Sequence, residues 1–118
     1  MNSEYIITRD EIVLVNKKYG GSLRNDAEIE TSLYLGKGKN IFRKIAYIWR
    51  AILVGHPFTN GNKRTALMTA LVMLERSNIK LDKTKKEHMI YTVTKIAKEN
   101  ITNISRIERL VRYVVTRN

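Results

Sequence analysis

The sequence predicts an all-α fold, a compact bundle of about six helices in one domain spanning residues 1–118. Apolar residues recur at spacings of three and four along most of the chain, which is typical of helices with one buried side. Clear two-residue alternation, which half-buried strands would show, is scarce. No internal repeat and no proline-rich linker divides the chain.

The first two helices are marked by capping residues. Thr8 has a glutamate three residues later, so it opens the first helix with a capping box, and that helix is expected to end near Gly20. Asn25 repeats the pattern and opens a short second helix that runs through Leu35. Glycines and lysines then form a flexible break at residues 36–39.

The third and fourth helices are the most apolar and are expected to form the centre of the bundle. The third begins after Asn40 and stops at Gly55, with isoleucines at helical spacing along it. The fourth begins at Lys63 or Arg64 and ends near Asn78. We therefore predict an active-site loop, residues 56–62, between two central helices.

Two further helices complete the bundle. The fifth begins at Asp82 or Thr84, and its inward side is expected to include Ile90. Ser105 and Glu108 mark the sixth. Because β-branched residues are frequent in this last segment, a strand is a second possibility there.

Composition narrows the function classes. The chain has no cysteine, which excludes disulfides, thiolate metal ligands and a cysteine nucleophile and fits the cytoplasmic location that we predict. No apolar run is long enough to span a membrane, so no membrane association is expected. The net charge of +11 favours anionic partners such as nucleotide phosphates, nucleic acid or an acidic protein, without choosing among them.

The loop between the central helices has the residues of a phosphate site. Gly61 permits a tight turn, and the amides after it open a helix whose dipole attracts anions. Asn62 adds an amide donor, and Lys63 and Arg64 add fixed positive charge. His56 can accept a proton near neutral pH, so the loop suggests phosphoryl or nucleotidyl transfer to a hydroxyl. The same residues also fit a plain helix-opening turn beside a structural histidine.

The nine residues of this loop resemble the Fic/Doc signature, H-x-F-x-[D/E]-[G/A]-N-[G/K]-R, as His56-Pro57-Phe58-Thr59-Asn60-Gly61-Asn62-Lys63-Arg64. The glycine-and-arginine stretch at residues 20–25 is similar to the one before the second helix of Doc-like proteins. The resemblance covers roughly residues 6–81 and implies the Fic/Doc fold and a protein-modifying transferase that uses ATP.

The resemblance implies a role for each matching residue. His56 resembles the general base that deprotonates the target hydroxyl, and Phe58 resembles the aromatic anchor that packs the loop on the core. Asn62 and Arg64 resemble phosphate ligands, with Arg64 also counted as catalytic, and the amides around Gly61 resemble an anion nest.

Lys63 indicates the subclass. Proteins of the family that transfer AMP usually have glycine here and a second arginine where this chain has Leu67. Both positions look like Doc, a toxin controlled by an antitoxin. This implies transfer of the terminal phosphate of ATP to a target protein, with elongation factor Tu as the implied target and a block of translation as the result. AMP transfer is the alternative.

Asn60 departs from the pattern, because the family has an acidic residue there that holds Mg²⁺. A neutral amide is a weaker magnesium ligand than a carboxylate. Either the metal is held mainly by the phosphates, or activity is reduced, or the residue was changed to silence the protein. A catalytically silent domain that binds nucleotide or a partner is therefore a further alternative.

The remaining expectations concern partners. Lys37 and Lys39 occupy the place of the family's target-docking flap and are candidate docking residues. The family's self-inhibitory motif, a serine or threonine with glutamate four residues later, is absent, which favours control by a separate antitoxin protein. A nucleic-acid-binding module stays an alternative supported only by charge. Aromatic residues do not interleave with the basic ones in an RNA-binding pattern, so a nucleic-acid partner is not expected.

Overall fold

The structure, a computed structural model, describes residues 6–117 and confirms the all-α fold class. Within these residues the chain forms helices and no strand. In order they are α1 Arg9–Lys17, α2 Ala27–Leu35, α3 Ile41–Leu53, α4 Asn62–Arg76, α5 Lys83–Glu99 and α6 Ile104–Thr116. Between residues 6 and 117, none of them combines the length and the apolar character that crossing a membrane requires.

Local capping side chains set most helix starts where the sequence places them. Thr8 forms a complete capping box at α1, and Asn40 caps α3 by accepting a hydrogen bond from a backbone N–H. Asp82 caps α5 in the same way. The sixth element is a helix rather than a strand, and it begins one residue before Ser105 because Asn103 caps it.

The start of α2 differs from the simple capping pattern. Asp26 occupies the cap position, yet its side chain makes no capping hydrogen bond. Its carboxylate instead accepts a 2.6 Å hydrogen bond from Nε of Arg9 on α1. Asn25 bonds the first backbone N–H of α2 instead, because its Oδ1 accepts from the N–H of Ala27 at 2.8 Å. A tertiary ion pair has therefore displaced a local cap.

Helix α3 is the centre of the bundle and packs against α2, α4, α5 and α6. Trp49 on α3 is fully buried, and its indole N–H donates to the backbone oxygen of Ala66 on α4 at 2.9 Å. A buried tryptophan with a satisfied N–H fixes how two helices pack, since the polar atom has to reach its partner. The α3–α4 pair that flanks the predicted loop is thereby held together.

The outer helices bury their branched side chains at helical spacing. On α6 the buried residues are Ile107, Val111, Val114 and Val115. On α5 the inward residues are Met89, Thr92, Val93 and Ile96. The expectation that Ile90 lies inward was wrong: it is 51% exposed, because the next position along a helix is rotated by about 100° from Met89.

An ion pair joins the start of α1 to the end of α4. The guanidinium of Arg76 contacts both carboxylate oxygens of Glu11, at 2.9 and 2.6 Å, and also donates to the backbone oxygen of Ile6. These hydrogen bonds from Arg76 lower the pKa of Glu11 to about 2. The two side chains are 44% and 37% exposed, so water screens much of this attraction.

The depressed pKa of Glu11 predicts an acid-dependent loss of stability. A carboxylate whose pKa is lower in the folded state stabilises the protein above its unfolded pKa, near 4.3, and that contribution is lost as the pH falls through about 2. We expect Glu11→Gln, which keeps the capping box, to lose roughly 1 kcal/mol or less at pH 7. Urea unfolding of both proteins from pH 7 to pH 2 should show their stabilities converging, and parallel curves would contradict the assignment.

Candidate active site

The predicted site residues lie where α3 ends and α4 begins. Leu53 is the last residue of α3, and Gly61 is the cap residue of α4, which begins at Asn62, one position before the earlier of the two predicted starts. The connecting loop carries His56, Phe58 and Asn60, and Phe58 bonds to Asn62 in the first turn of α4. The signature residues therefore share one junction between the two central helices.

Backbone hydrogen bonds attach this loop to the segment between α1 and α2. The N–H of Thr59 donates to the oxygen of Ser22 at 2.9 Å, and the N–H of Arg24 donates to the oxygen of Pro57 at 2.8 Å. The Ser22 N–H returns a bond to Oγ1 of Thr59 at 3.1 Å. A short antiparallel bridge thus fixes the loop from outside, across more than thirty residues of sequence.

His56 has an exposed side chain on a strained backbone. Its φ angle of +49° lies in the left-handed region, which costs a non-glycine residue about 1–3 kcal/mol. Nη2 of Arg24 donates to the backbone oxygen of His56 at 2.8 Å and helps to hold this conformation. The imidazole itself is solvent-accessible, as a base that meets a protein substrate has to be.

Phe58 and Asn62 close the loop on the helix start. The Phe58 ring is 1% exposed, so it anchors the loop in the core. Oδ1 of Asn62 accepts from the Phe58 N–H at 3.2 Å, and Nδ2 donates to the Phe58 oxygen at 3.0 Å. The carboxamide of Asn62 therefore holds the loop, and its second N–H is the side-chain donor left for a phosphate.

The start of α4 presents backbone amides with no side-chain cap. Gly61 adopts the left-handed conformation with φ +73°, and the first backbone bond of the helix runs from the Thr65 N–H to the Gly61 oxygen at 2.9 Å. The N–H groups of Asn62, Lys63 and Arg64 precede that bond, so they have no partner within the helix. Such an end binds anions through its amides and its dipole.

Two basic side chains flank these amides. Lys63 and Arg64 are both exposed, and the Arg64 guanidinium lies 5.9 Å from the centroid of the Tyr19 ring. A cation over an aromatic ring is loosely oriented by it. The helix end, the lysine and the arginine together form a positive site that fits the phosphates of a nucleotide.

Asn60 does not offer a magnesium site. Its Oδ1 accepts from the Gly61 N–H at 2.9 Å, and a neutral amide oxygen is a weaker ligand than the carboxylates that Mg²⁺ prefers. Within residues 6–117, no group of three or more histidine, aspartate or glutamate side chains could hold a metal ion. The residues present fit a phosphate group but do not by themselves fit the metal.

Asn16 on α1 supports the junction from beneath and was missed by sequence reasoning. It is 1% exposed, and its Nδ2 donates to the Asn60 backbone oxygen at 2.8 Å and to Oγ1 of buried Thr65 at 3.0 Å. Gly21 packs against both asparagines, since a Cβ there would lie within 2.4 Å of each. The available signal was a polar residue four positions after Ile12, on the buried side of α1.

Lys37 and Lys39 are not part of this junction. They lie in the turn before α3, whereas His56 follows the other end of that helix. Thirteen residues of helix separate the two places by about 20 Å. Any target protein that contacts these lysines while presenting a hydroxyl to His56 would have to span the length of α3.

The described residues form an all-helical bundle with the signature loop between its two central helices. Residues 7–74 match the family model of the Fic/DOC family. The match covers more than half of the chain and includes the whole loop, so the chain belongs to the Fic/DOC family. Comparisons with curated proteins and with solved structures gave no match.

Removal of the Asn16 amide should destabilise the fold. Asn16→Ala leaves the buried Thr65 hydroxyl and the partly buried Asn60 carbonyl without their donor, which costs about 1–3 kcal/mol. Ser32→Ala is the control, because that buried hydroxyl bonds only to the Ile29 oxygen of its own helix. Urea unfolding should give a clearly larger loss for Asn16→Ala, and equal losses would show that the cross-link adds nothing.

Two glycines with nearly equal φ angles allow backbone strain to be distinguished from side-chain crowding. Gly61 and Gly38 have φ +73° and +75°, so alanine at either position pays roughly 1–2 kcal/mol. At Gly61 the new Cβ would also meet Cβ of Tyr19 at 3.0 Å, whereas at Gly38 nothing lies within 4 Å. We expect Gly61→Ala to lower the free energy of unfolding more than Gly38→Ala, and equal losses would mean that the Tyr19 side chain moves away freely.

Proposed function

We propose that this chain is a Doc-like toxin that transfers the terminal phosphate of ATP to a hydroxyl of a target protein. Fic/DOC domains are in general protein-modifying transferases. The observation that carries the proposal is the uncapped start of α4, flanked by Lys63 and Arg64 and preceded by the exposed imidazole of His56. In this proposal the imidazole is the base and the helix start is the phosphate cradle.

His56 acts as the general base in this reaction. Its imidazole takes the proton of the target hydroxyl while the hydroxyl oxygen attacks the γ-phosphorus of ATP. The new O–P bond forms as the bond between the γ-phosphorus and the β–γ bridging oxygen breaks, and ADP leaves. The proton stays on the imidazole until it is released to water.

The start of α4 holds the phosphates during the transfer. Backbone N–H groups donate to phosphate oxygens, and the guanidinium of Arg64 can add two parallel hydrogen bonds. Lys63 contributes a point charge. Because the backbone N–H groups are fixed by the helix, they stabilise the charge of the transition state with little reorganisation.

Leu67, three residues after the last residue of the signature, favours phosphate transfer over AMP transfer. Leu67 takes the place of the second arginine that AMP-transferring members carry, and it packs partly buried against the core. The chain therefore offers one strong basic cluster at the helix start instead of two along the helix. AMP transfer stays the alternative reaction at the same site.

A silent nucleotide-binding domain is the second candidate, and Asn60 favours it. Its Oδ1 accepts from the Gly61 N–H, the amide directly before the three unpartnered amides of the anion site. With no carboxylate at this position, Mg²⁺ would rest mainly on the phosphates. This candidate binds nucleotide but transfers nothing.

The partners follow from the same resemblance. The target would be a cytoplasmic protein, with a threonine of elongation factor Tu as the first to test and translation as the process blocked. A separate antitoxin protein would control the activity, and an acidic segment of it would suit a chain of net charge +11. Lys37 and Lys39 are docking residues only for a target that extends along α3.

A labelling assay tests the proposal. ATP labelled on the α- or the γ-phosphate is incubated with Mg²⁺, elongation factor Tu and a cell lysate, using the parent chain and the variants His56→Ala, His88→Ala and Asn60→Asp. His88 is the chain's other histidine and lies on α5, so His88→Ala is the matched control. We expect γ-label in protein that falls about 10²–10⁴-fold in His56→Ala and is unchanged in His88→Ala.

The other outcomes are equally specific. Label from the α-phosphate would make the chain an AMP transferase. It would contradict the inference from Lys63 that the chain transfers phosphate. Label that appears only in Asn60→Asp would mean that the asparagine silences a competent site. If no variant gives label while ATP still binds, the result would support the catalytically silent nucleotide-binding domain.

A further inference from the structure

The outer side of α6 concentrates arginine. Arg106, Arg109 and Arg112 on α6, and Arg117 directly after it, are all exposed and span about 16 Å along the helix. The first three line one shallow cleft together with Leu110, Tyr113 and Thr116. From residue 83 to residue 117 the chain carries nine lysines and arginines against three glutamates.

The acidic residues of these helices do not neutralise this side. Glu108 has a side chain only 13% exposed, because it is held by Arg43 of α3 at 2.9 Å and by Arg112 at 2.6 Å. Glu99 pairs with Lys95 at 2.9 Å and reaches Arg106 only at 3.7 Å. Each of these glutamates therefore also pairs with a cation outside this side of α6. The arginines on this side still outnumber the glutamates that contact them.

Aromatic rings lie beside the arginines. Tyr91 of α5 and Tyr113 of α6 are 64% and 56% exposed. The His88 ring lies between them, with centroid distances of 6.2 and 6.1 Å. The Arg117 guanidinium covers part of Tyr113 at 5.1 Å and donates to its hydroxyl. We name these three rings the aromatic row and the four arginines the arginine face.

We infer that the arginine face and the aromatic row form a binding surface for single-stranded nucleic acid. A single strand supplies phosphates at regular spacing for the arginines and unstacked bases for the exposed tyrosines. An acidic peptide would satisfy the charges but not the rings. Guanidinium groups suit this partner better than ammonium groups, since they bind phosphate with two hydrogen bonds and also stack on bases.

The sequence did not reveal this surface, because its parts come from different helices. Tyr91 and Tyr113 are on α5 and α6, and only folding brings them to the same imidazole. The expectation against nucleic acid was drawn from the linear order of residues, in which aromatic and basic positions do not interleave. In three dimensions they do.

The surface is separate from the candidate active site. Phe42 and Arg43, near the start of α3, contact Arg112 and Glu108 in the middle of α6. His56 follows the opposite end of α3, about 15 Å further along the helix. Binding at the arginine face therefore stands or falls independently of the proposed phosphate transfer.

The first test measures how binding depends on salt. Fluorescence anisotropy with labelled 12-nucleotide RNA and DNA single strands gives the affinity between 50 and 300 mM salt. Each phosphate contact in a single strand contributes about 0.7 to the slope of log affinity against log salt. Arg106→Gln with Arg109→Gln should lower the slope by about 1.4 and the affinity roughly 25-fold near 0.1 M salt.

The matched control removes the same charge elsewhere. Lys17→Gln with Lys18→Gln changes two exposed lysines at the end of α1. It should leave the slope unchanged and alter the affinity by less than about threefold. If the two double variants lose equal affinity, the chain attracts polyanions only through its net charge, and the surface is refuted.

The second test concerns the rings. Tyr113→Ala should weaken binding about fivefold or more without changing the salt slope, because stacking releases no counterions. Tyr34→Ala is the control, since Tyr34 is 68% exposed on α2, and Tyr113→Phe should bind like the parent. His56→Ala should also bind like the parent.

Competition with a glutamate-rich peptide of similar length decides between partner classes. We expect it to displace the oligonucleotide poorly. Efficient displacement by the peptide, together with unchanged binding by Tyr113→Ala, would identify an acidic protein as the partner and overturn the proposal.

Discussion

The conformation of the loop after α3 depends on hydrogen bonds that come from distant parts of the chain. His56 and Gly61 both have positive φ angles, so the loop is not the shape that its own backbone prefers. The segment at residues 22–24 holds it from one side, and Asn16 holds it from below. Because these contacts offset the strain, they hold the backbone of the loop against the start of α4.

The start of α4 differs from most other helix starts in having no capping side chain. Side chains cap α1, α3, α5 and α6, whereas α4 begins at a glycine with no side chain to bond its amides. A serine or aspartate there could bond the first amides, but the left-handed φ of Gly61 and the nearby Tyr19 side chain would strain it. It would also occupy the amides that the proposed phosphate site needs, so an uncapped start suits that proposal. The buried Trp49–Ala66 contact holds α4 in place instead.

The fold was predictable where local chemistry decides it. Helix starts were correct at Thr8, Asn40 and Asp82, because a capping side chain needs only its own first turn. Prediction failed for Ile90, since a run of apolar residues does not tell which one faces the core. The signature residues are contiguous, so they had to meet. Asn16 and Arg24 were missed because their partners lie 32–49 residues away in sequence.

The net charge of +11 does not act as one property of the surface. At the start of α4 two basic side chains surround a point where backbone amides converge, and such a site suits a compact, highly charged terminal phosphate. Along α6 the arginines are spread over about 16 Å beside exposed rings, so no single anion can neutralise them. An extended polyanion with planar groups can. Under the two proposals the same charge excess serves two kinds of recognition, one at the start of α4 and one on the outer side of α6, and both helices pack on α3.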